Sequence, residues 1–265
     1  MMFHSFLFID IGNTRVKWAV ADLPGKDPSR MLYSEAATPL VKGEMLTTDA
    51  TPDRIRELKK NFDGHFLILA SVVPKLTFDF CRTFKRGFHS VTADSPALGL
   101  EFDYPNPVEI GADRIAAAVA AHQAGKWPVI VVSCGTATAF TVLDAKGRLC
   151  GGVIAPGLQP QLAALLGATA QLPKTTLQPP RSALAKSTQD AIRAGVMLNF
   201  QGSVKEIIHQ LSKALPGRKK PDIILTGGNA HYLTNSLDLP HTLRPLLVFE
   251  GLRIIGNRIW SRDLR

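Results

Sequence analysis

Apolar residues run unbroken from Phe6 to Ile9, and the run ends in a carboxylate, Asp10. Gly12, Asn13 and Thr14 follow at once, and then Val16, Trp18 and Val20 alternate with Arg15, Lys17 and Ala19. A period of two marks a strand, so the pattern predicts a β-hairpin over residues 6–10 and 15–22. Residues 30–38 are a candidate third strand. Thr51 as N-cap and Pro52 at the first helical position open a helix whose Ile55, Leu58 and Phe62 share one face. A buried strand follows over 65–73, and Pro74 begins another helix. The alanine-rich stretch starting near Ala112 is a helix with Gly125 as its stop.

The pattern then restarts. Residues 127–157 read as strand, tight Gly-Thr turn, strand, Lys-Gly turn, strand. Aligned with the N-terminus, Ser133-Cys134-Gly135-Thr136 falls on Asp10-Ile11-Gly12-Asn13, a weak internal repeat offset by about half the chain. Helices are expected at 158–172 and 188–215, the latter capped by Ser187 or Thr188. "PDIILTGGNAHYL" (221–233) reads as a strand, a glycine pair and a helix start. A last helix is expected over 248–260, although Gly251 and Gly256 count against it.

Composition changes this picture little. The chain has 265 residues, 45% hydrophobic and 20% charged, which suits one large domain or two of about half its length. No apolar run approaches the roughly 20 residues of a membrane span. The start, "MMFHSFLFID", lacks a basic n-region and a small-residue cleavage site, so it is not read as a signal peptide. Cys81, Cys134 and Cys150 are odd in number, widely spaced and without a metal pattern, which fits a reduced cytoplasmic protein. The net charge of +9 is scattered, and its densest cluster, "PGRKKPD" (216–222), lacks the interleaved aromatics of a nucleic-acid site. A solvated loop is the simpler reading, and no nucleic acid is expected as a partner.

The polar turns carry the candidate chemistry. In "DIGNT" (10–14) a glycine-led turn lets backbone N–H groups converge on an anion, phosphate above all. A carboxylate beside bound phosphates makes sense with Mg²⁺ between them. A plain hairpin turn with an Asx-type hydrogen bond explains the same residues. "CGTAT" (134–138) and "LTGGNA" (225–230) offer two more glycine turns at strand ends, the last before an expected helix N-terminus. Together the three point to a phosphate-holding cleft, though no Walker A pattern is present. In "GADR" (111–114), Asp113 opens a helix with Arg114 beside it. Asp113 fits a base for a substrate hydroxyl and Arg114 a bidentate clamp on a substrate anion. Complementing the helix dipole and a surface ion pair are their structural alternatives. Cys134 lies at a strand end without a named histidine partner, so a small apolar residue packed beneath a turn is favoured over a nucleophile.

"DIGNT", "GADR", "CGTATAF", "GGVIAPG" and "TGGNA", in this order and spacing, resemble the type III pantothenate kinases, also called the Bvg accessory factor family. The resemblance runs from about residue 6 to the C-terminal helix. It implies an α/β fold of two duplicated RNase H-like domains, of the actin/Hsp70/sugar kinase type, with a nucleotide cleft between them. The expected domains are 1–125 and 126–247, with the helix at about 248–265 packing back on the first. It implies phosphorylation of pantothenate by Mg²⁺–ATP to 4′-phosphopantothenate, the first step of coenzyme A synthesis. Asp113 would then be the general base, and Asp10 would organise the Mg²⁺–phosphate end. Ile11, Gly12, Asn13, Thr14, Arg15, Val16 and Lys17 would surround ATP, with Thr136, Gly227 and Gly228 from the second half. Tyr104, Gly111, Ala112, Asp113 and Arg114 would line the pantothenate site. Thr188 matches a threonine that reaches the partner's pocket, so a homodimer is implied. Many relatives carry Asp where this chain has Ser133, and that Asp helps bind a monovalent cation. Weak or absent K⁺ binding is therefore expected here, with activation by NH₄⁺ or by no cation. Asn229 likewise stands where Asp is common. Another acceptor on the same fold, or a non-catalytic accessory role, are the rival functions.

By the same resemblance, the contact between Asp10 and Mg²⁺ would run through bound water.

Overall fold

The computed structural model describes residues 5–22, 40–85, 87–169 and 171–263. The chain divides into two compact units, one of Met1–Gly125 with Leu246–Arg265 and one of Lys126–Pro245.

In the first unit, β1 (Ser5–Ile11) and β2 (Arg15–Asp22) form the hairpin, and β3 (Leu40–Leu46) extends it. The candidate strand at 30–38 lies outside the described residues. After α1 (Pro52–Asn61), β4 (His65–Ser71) returns parallel to β1. Then come α2 (Pro74–Phe84), β5 (Phe88–Ser90) and α3 (Ala112–Gln123). The sheet order is β3-β2-β1-β4-β5. Thr51 caps α1, its hydroxyl accepting the Arg54 N–H, and Pro52 occupies the first turn, where its missing N–H costs nothing.

Strand alternation decides what each sheet face does. Leu7, Ile9 and Ile11 of β1 pack with Ile55 and Leu58 of α1 and Leu76, Phe80 and Phe84 of α2. Phe6, Phe8 and Asp10 therefore share the opposite face. There Phe6 meets Trp260 edge to face, with ring centroids 6.3 Å apart.

The second unit repeats the plan. β6 (Val129–Cys134), β7 (Ala137–Leu143) and β8 (Leu149–Pro156) form an antiparallel meander, and β9 (Asp222–Thr226) lies parallel to β6. With β10 (Thr242–Leu243) outermost, the order β10-β9-β6-β7-β8 matches the first sheet strand for strand. α4 (Leu158–Gly167) and α5 (Thr188–Ala214) cover one face through Leu158, Leu162, Ile192, Val196 and Phe200. The Ser187 hydroxyl caps α5 by accepting the Asp190 N–H, so Thr188 is the first helical residue.

Three expectations need correction. α4 stops at Gly167 rather than running to 172. The helix expected after the Gly227–Gly228 pair is only a single 3₁₀ turn, Ala230–Tyr232. The final helix, α6 (Leu247–Asp263), is longer than 248–260, and its glycines are contact points rather than breaks. A Cβ on Gly251 would lie 1.8 Å from the Ala116 carbonyl oxygen, so glycine is what lets α6 pack against α3.

Candidate active site

Alternation along β1 carries Asp10 to the face shared with Phe6 and Phe8, and the sheet register pairs it with Lys17 on β2. Asp113 stands in the first turn of α3, close enough for its charge to act on Asp10. Burial, then the charge of Asp113, push the Asp10 carboxyl up to about 7, while Lys17 pulls the other way. Burial also raises the Asp113 pKa. The Arg114 N–H, which donates to Asp113 Oδ1 at 2.8 Å, and the Arg114 charge oppose that rise. Two carboxylates held together in a poorly solvated place are a donor set that a divalent cation would relieve.

Gly111 belongs to this cluster by space. A Cβ there would stand 2.7 Å from Asp113 Oδ1 and 3.2 Å from Val72 Cγ1. Val72 follows β4, and its N–H donates to the Ile11 carbonyl at 3.0 Å, which ties the end of β4 to the end of β1. Ala112 is buried and Tyr104 is partly buried.

The hairpin turn is less open than a free nest. The Gly12 N–H donates to the Arg15 carbonyl at 2.9 Å, because closing the hairpin uses it. Thr47 locks the turn from β3: its hydroxyl donates to the Gly12 carbonyl at 2.7 Å, and its N–H donates to the Thr14 carbonyl at 3.0 Å. Asn13, Thr14 and Arg15 are exposed, and Arg15 pairs with Glu44 at 2.5 Å. The Ile11 and Val16 side chains lie in the core with α1 and α2, which leaves only their backbone for a ligand. Thr47 and Val72 were missed in the sequence. Each lies just past a strand end, a position that shows no pattern of its own.

In the second unit the structure brings three glycine turns together. A Cβ on Gly157 would stand 2.2 Å from the Gly135 carbonyl oxygen and 2.6 Å from that of Thr136. Gly227 has φ +90°, and a Cβ there would lie 2.5 Å from the Cys134 carbonyl oxygen. The Asn229 N–H donates to that same carbonyl at 3.0 Å. The Gly135 N–H is again spent on closing its hairpin, to Ala137 at 3.0 Å. Thr136 and Gly228 remain exposed, whereas Ser133 is partly buried at the end of β6. Cys134 is fully buried, and burial pushes its thiol up to about 12, so it packs beneath the turn as a small apolar residue. Thr188 is exposed at the start of α5.

The fold is that of the actin/Hsp70/sugar kinase class. A conserved Baf family protein of Campylobacter jejuni, assigned as a transcriptional activator, superposes with a TM-score of 0.60 at 19% identity, over 98% of this chain and 100% of that one. The activator of 2-hydroxyisocaproyl-CoA dehydratase from Clostridium difficile follows with a TM-score of 0.51 at 12% identity, over 98% of each chain. The family model for type III pantothenate kinase matches residues 6–210. A type III pantothenate kinase of Rhodospirillum rubrum is 35% identical over 257 residues, covering 95% of this chain and 98% of its own. One of Akkermansia muciniphila is 32% identical over 96% of this chain and 98% of its own. The chain belongs to the type III pantothenate kinase family.

Proposed function

We propose that the chain transfers the γ-phosphoryl group of ATP to the primary hydroxyl of pantothenate, giving 4′-phosphopantothenate, the first step of coenzyme A biosynthesis. Family membership supplies the substrates. The observation that carries the chemistry is the Asp113 carboxylate at the start of α3, within electrostatic reach of Asp10.

Asp113 takes the proton of the attacking hydroxyl. Its raised pKa suits a base working nearer neutral pH, and Arg114 keeps that rise in check. Arg114 clamps the pantothenate carboxylate. Gly111 and Ala112 leave room for the substrate, and Tyr104 lies against it. Asp10 would hold Mg²⁺, with Lys17 beside it. When bound, the metal neutralises charge on the transferred phosphoryl group. Unit 1 offers ATP the backbone of residues 11–16 and the side chains of Asn13, Thr14, Arg15 and Lys17. Within the second unit, Thr136, Gly227 and Gly228 are the candidate nucleotide contacts. Most of the rate comes from positioning and charge stabilisation.

The same reading places the enzyme in the cytoplasm, in keeping with three free cysteines. Among the described residues no helix is long and apolar enough to cross a membrane. It also makes the enzyme a homodimer in which Thr188 reaches the partner's pocket. Leu184, four residues before Thr188, and Leu198, ten residues after it, are 80% and 50% exposed. Light scattering at micromolar concentration should give twice the chain mass, and a monomer would contradict it. Ser133 gives no strong cation site, so rates should match in sodium, potassium and ammonium buffers, and strong potassium activation would contradict that. For the reaction itself, ADP release from Mg²⁺–ATP should depend on added pantothenate. ADP release without that dependence would contradict the assignment.

A further inference from the structure

The chain between β5 and α3, residues 91–111, contains no strand or α-helix, yet it carries Tyr104 and Gly111. One end is fixed to the sheet: the Val91 N–H donates to the Leu69 carbonyl at 2.8 Å. The Ser95 hydroxyl accepts the Thr92 N–H at 2.8 Å and lies 2.9 Å from His89 Nε2. The crest that follows is bent in an uncommon way. Ala97 has φ +67° and Gly99 has φ +58°, so two of three consecutive residues are left-handed. For Ala97 this costs on the order of 1 kcal/mol, and it persists only where neighbours hold it.

The neighbour is Arg258 of α6. Its Nη1 donates to the Leu98 carbonyl, and to that of Ala97 at 3.4 Å. Its Nη2 donates to Gln123 Oε1 at 2.7 Å, at the last residue of α3. A Cβ on Gly99 would lie 2.5 Å from Arg258 Nη1, so the crest passes directly over the guanidinium. Leu98 and Leu100 are buried on either side of that glycine. From this crest, beside the C-terminal end of α3, the chain must return to the N-terminal end, where Asp113 stands. At 1.5 Å per residue α3 is about 18 Å long. Tyr104 lies on that return path, so a crest held in place fixes where the path begins.

We propose that Arg258 is a positioning residue for the pantothenate side of the site: it latches the 97–99 crest to α6 and to the end of α3, and so sets the path that carries Tyr104 to the substrate. The inference rests on the functional reading above. The guanidinium suits this role because its planar fork serves carbonyls on two elements at once, which an ammonium cannot do in the same geometry.

The test uses Arg258→Ala, Arg258→Lys and Gln123→Ala in the full chain. Hydrogen exchange of the ligand-free proteins reads the latch alone. Amides over 97–104 should exchange at least about tenfold faster in Arg258→Ala, with those of β1 and β4 unchanged. Kinetics read the role. KM for pantothenate should rise about tenfold in Arg258→Ala, with KM for ATP within about twofold of wild type. Lysine should restore part of the loss, and Gln123→Ala should give a smaller rise in the same constant. Unchanged exchange over 97–104 would overturn the latch. Equal changes in both KM values, or a lower Tm with neither changed, would reduce Arg258 to a structural role and overturn the proposal. If Arg258→Ala does not fold, the lysine and Gln123 variants decide by the same two readouts. If the wild type shows no pantothenate-dependent ADP release, the functional reading fails separately. The pantothenate role of Arg258 falls with it, and exchange still decides the latch.

Discussion

Gly111 leaves its Cβ position empty 2.7 Å from Asp113 Oδ1, so the carboxylate occupies space that any other residue would claim. The φ of Gly111 is −56°, a value every residue adopts, so room rather than backbone freedom is the reason for glycine here. Gly111→Ala should therefore displace the Asp113 carboxylate and leave the fold intact. The expected loss in kcat is about 10- to 100-fold, the scale of a misplaced catalytic group. Steady-state kinetics beside a melting curve check it, and an alanine variant with wild-type kcat would contradict the placement of Asp113.

Asp10 gives the ligand-free protein a pH signature. Its carboxyl is raised from 3.8 to about 7 by burial and by Asp113. Between those values the folded protein keeps a proton that the unfolded chain has released. The stabilisation is complete below about pH 4 and is lost as pH rises through about 7. Asp10→Asn removes this dependence while keeping a similar shape. Its melting temperature should exceed that of the wild type above pH 7, and the gap should close towards pH 5. Parallel melting curves from pH 5 to 8.5 would show that the carboxyl is not perturbed.

The two glycines of α6 should behave differently. A Cβ on Gly251 meets the Ala116 backbone at 1.8 Å, whereas one on Gly256 meets Cγ1 of the Ile68 side chain at 3.2 Å. Backbone cannot give by a few tenths of an ångström as readily as a side chain can. Gly251→Ala should cost at least about 1–3 kcal/mol, the usual range for overpacking. Gly256→Ala should fall below that, helped by the better helix propensity of alanine. Urea unfolding of both variants distinguishes them, and equal losses would contradict the packing account.

The fold was legible wherever period and caps agree. The 6–22 hairpin, Thr51 before Pro52, and Gly125 ending α3 each put their signal in adjacent residues. The internal repeat was legible because both halves begin with a strand that runs into a glycine turn, and the two sheets share one strand order. What failed depended on distant contacts. Gly251 and Gly256 looked like helix breakers until Ala116 and Ile68 were placed against them. The Gly227 pair looked like a helix start, but Gly227 is there to clear the Cys134 backbone, and the chain makes only one 3₁₀ turn after it. At the site, alternation alone distinguishes Asp10, which faces α3, from its neighbours Ile9 and Ile11, which face α1 and α2. Thr47, Val72 and Arg258 could not be found that way, because each acts through a backbone carbonyl or a side chain far away in sequence.

The central claim is that Asp113 is the base for phosphoryl transfer to pantothenate. The most direct measurement incubates wild type and Asp113→Asn with Mg²⁺–ATP and pantothenate and follows 4′-phosphopantothenate by mass spectrometry. Wild type should make the product, and the variant should lose at least about a hundredfold in rate while keeping its melting profile, the scale expected of a lost general base. Product formed at equal rates by both proteins would contradict the role of Asp113, and no product from the wild type would contradict the reaction itself.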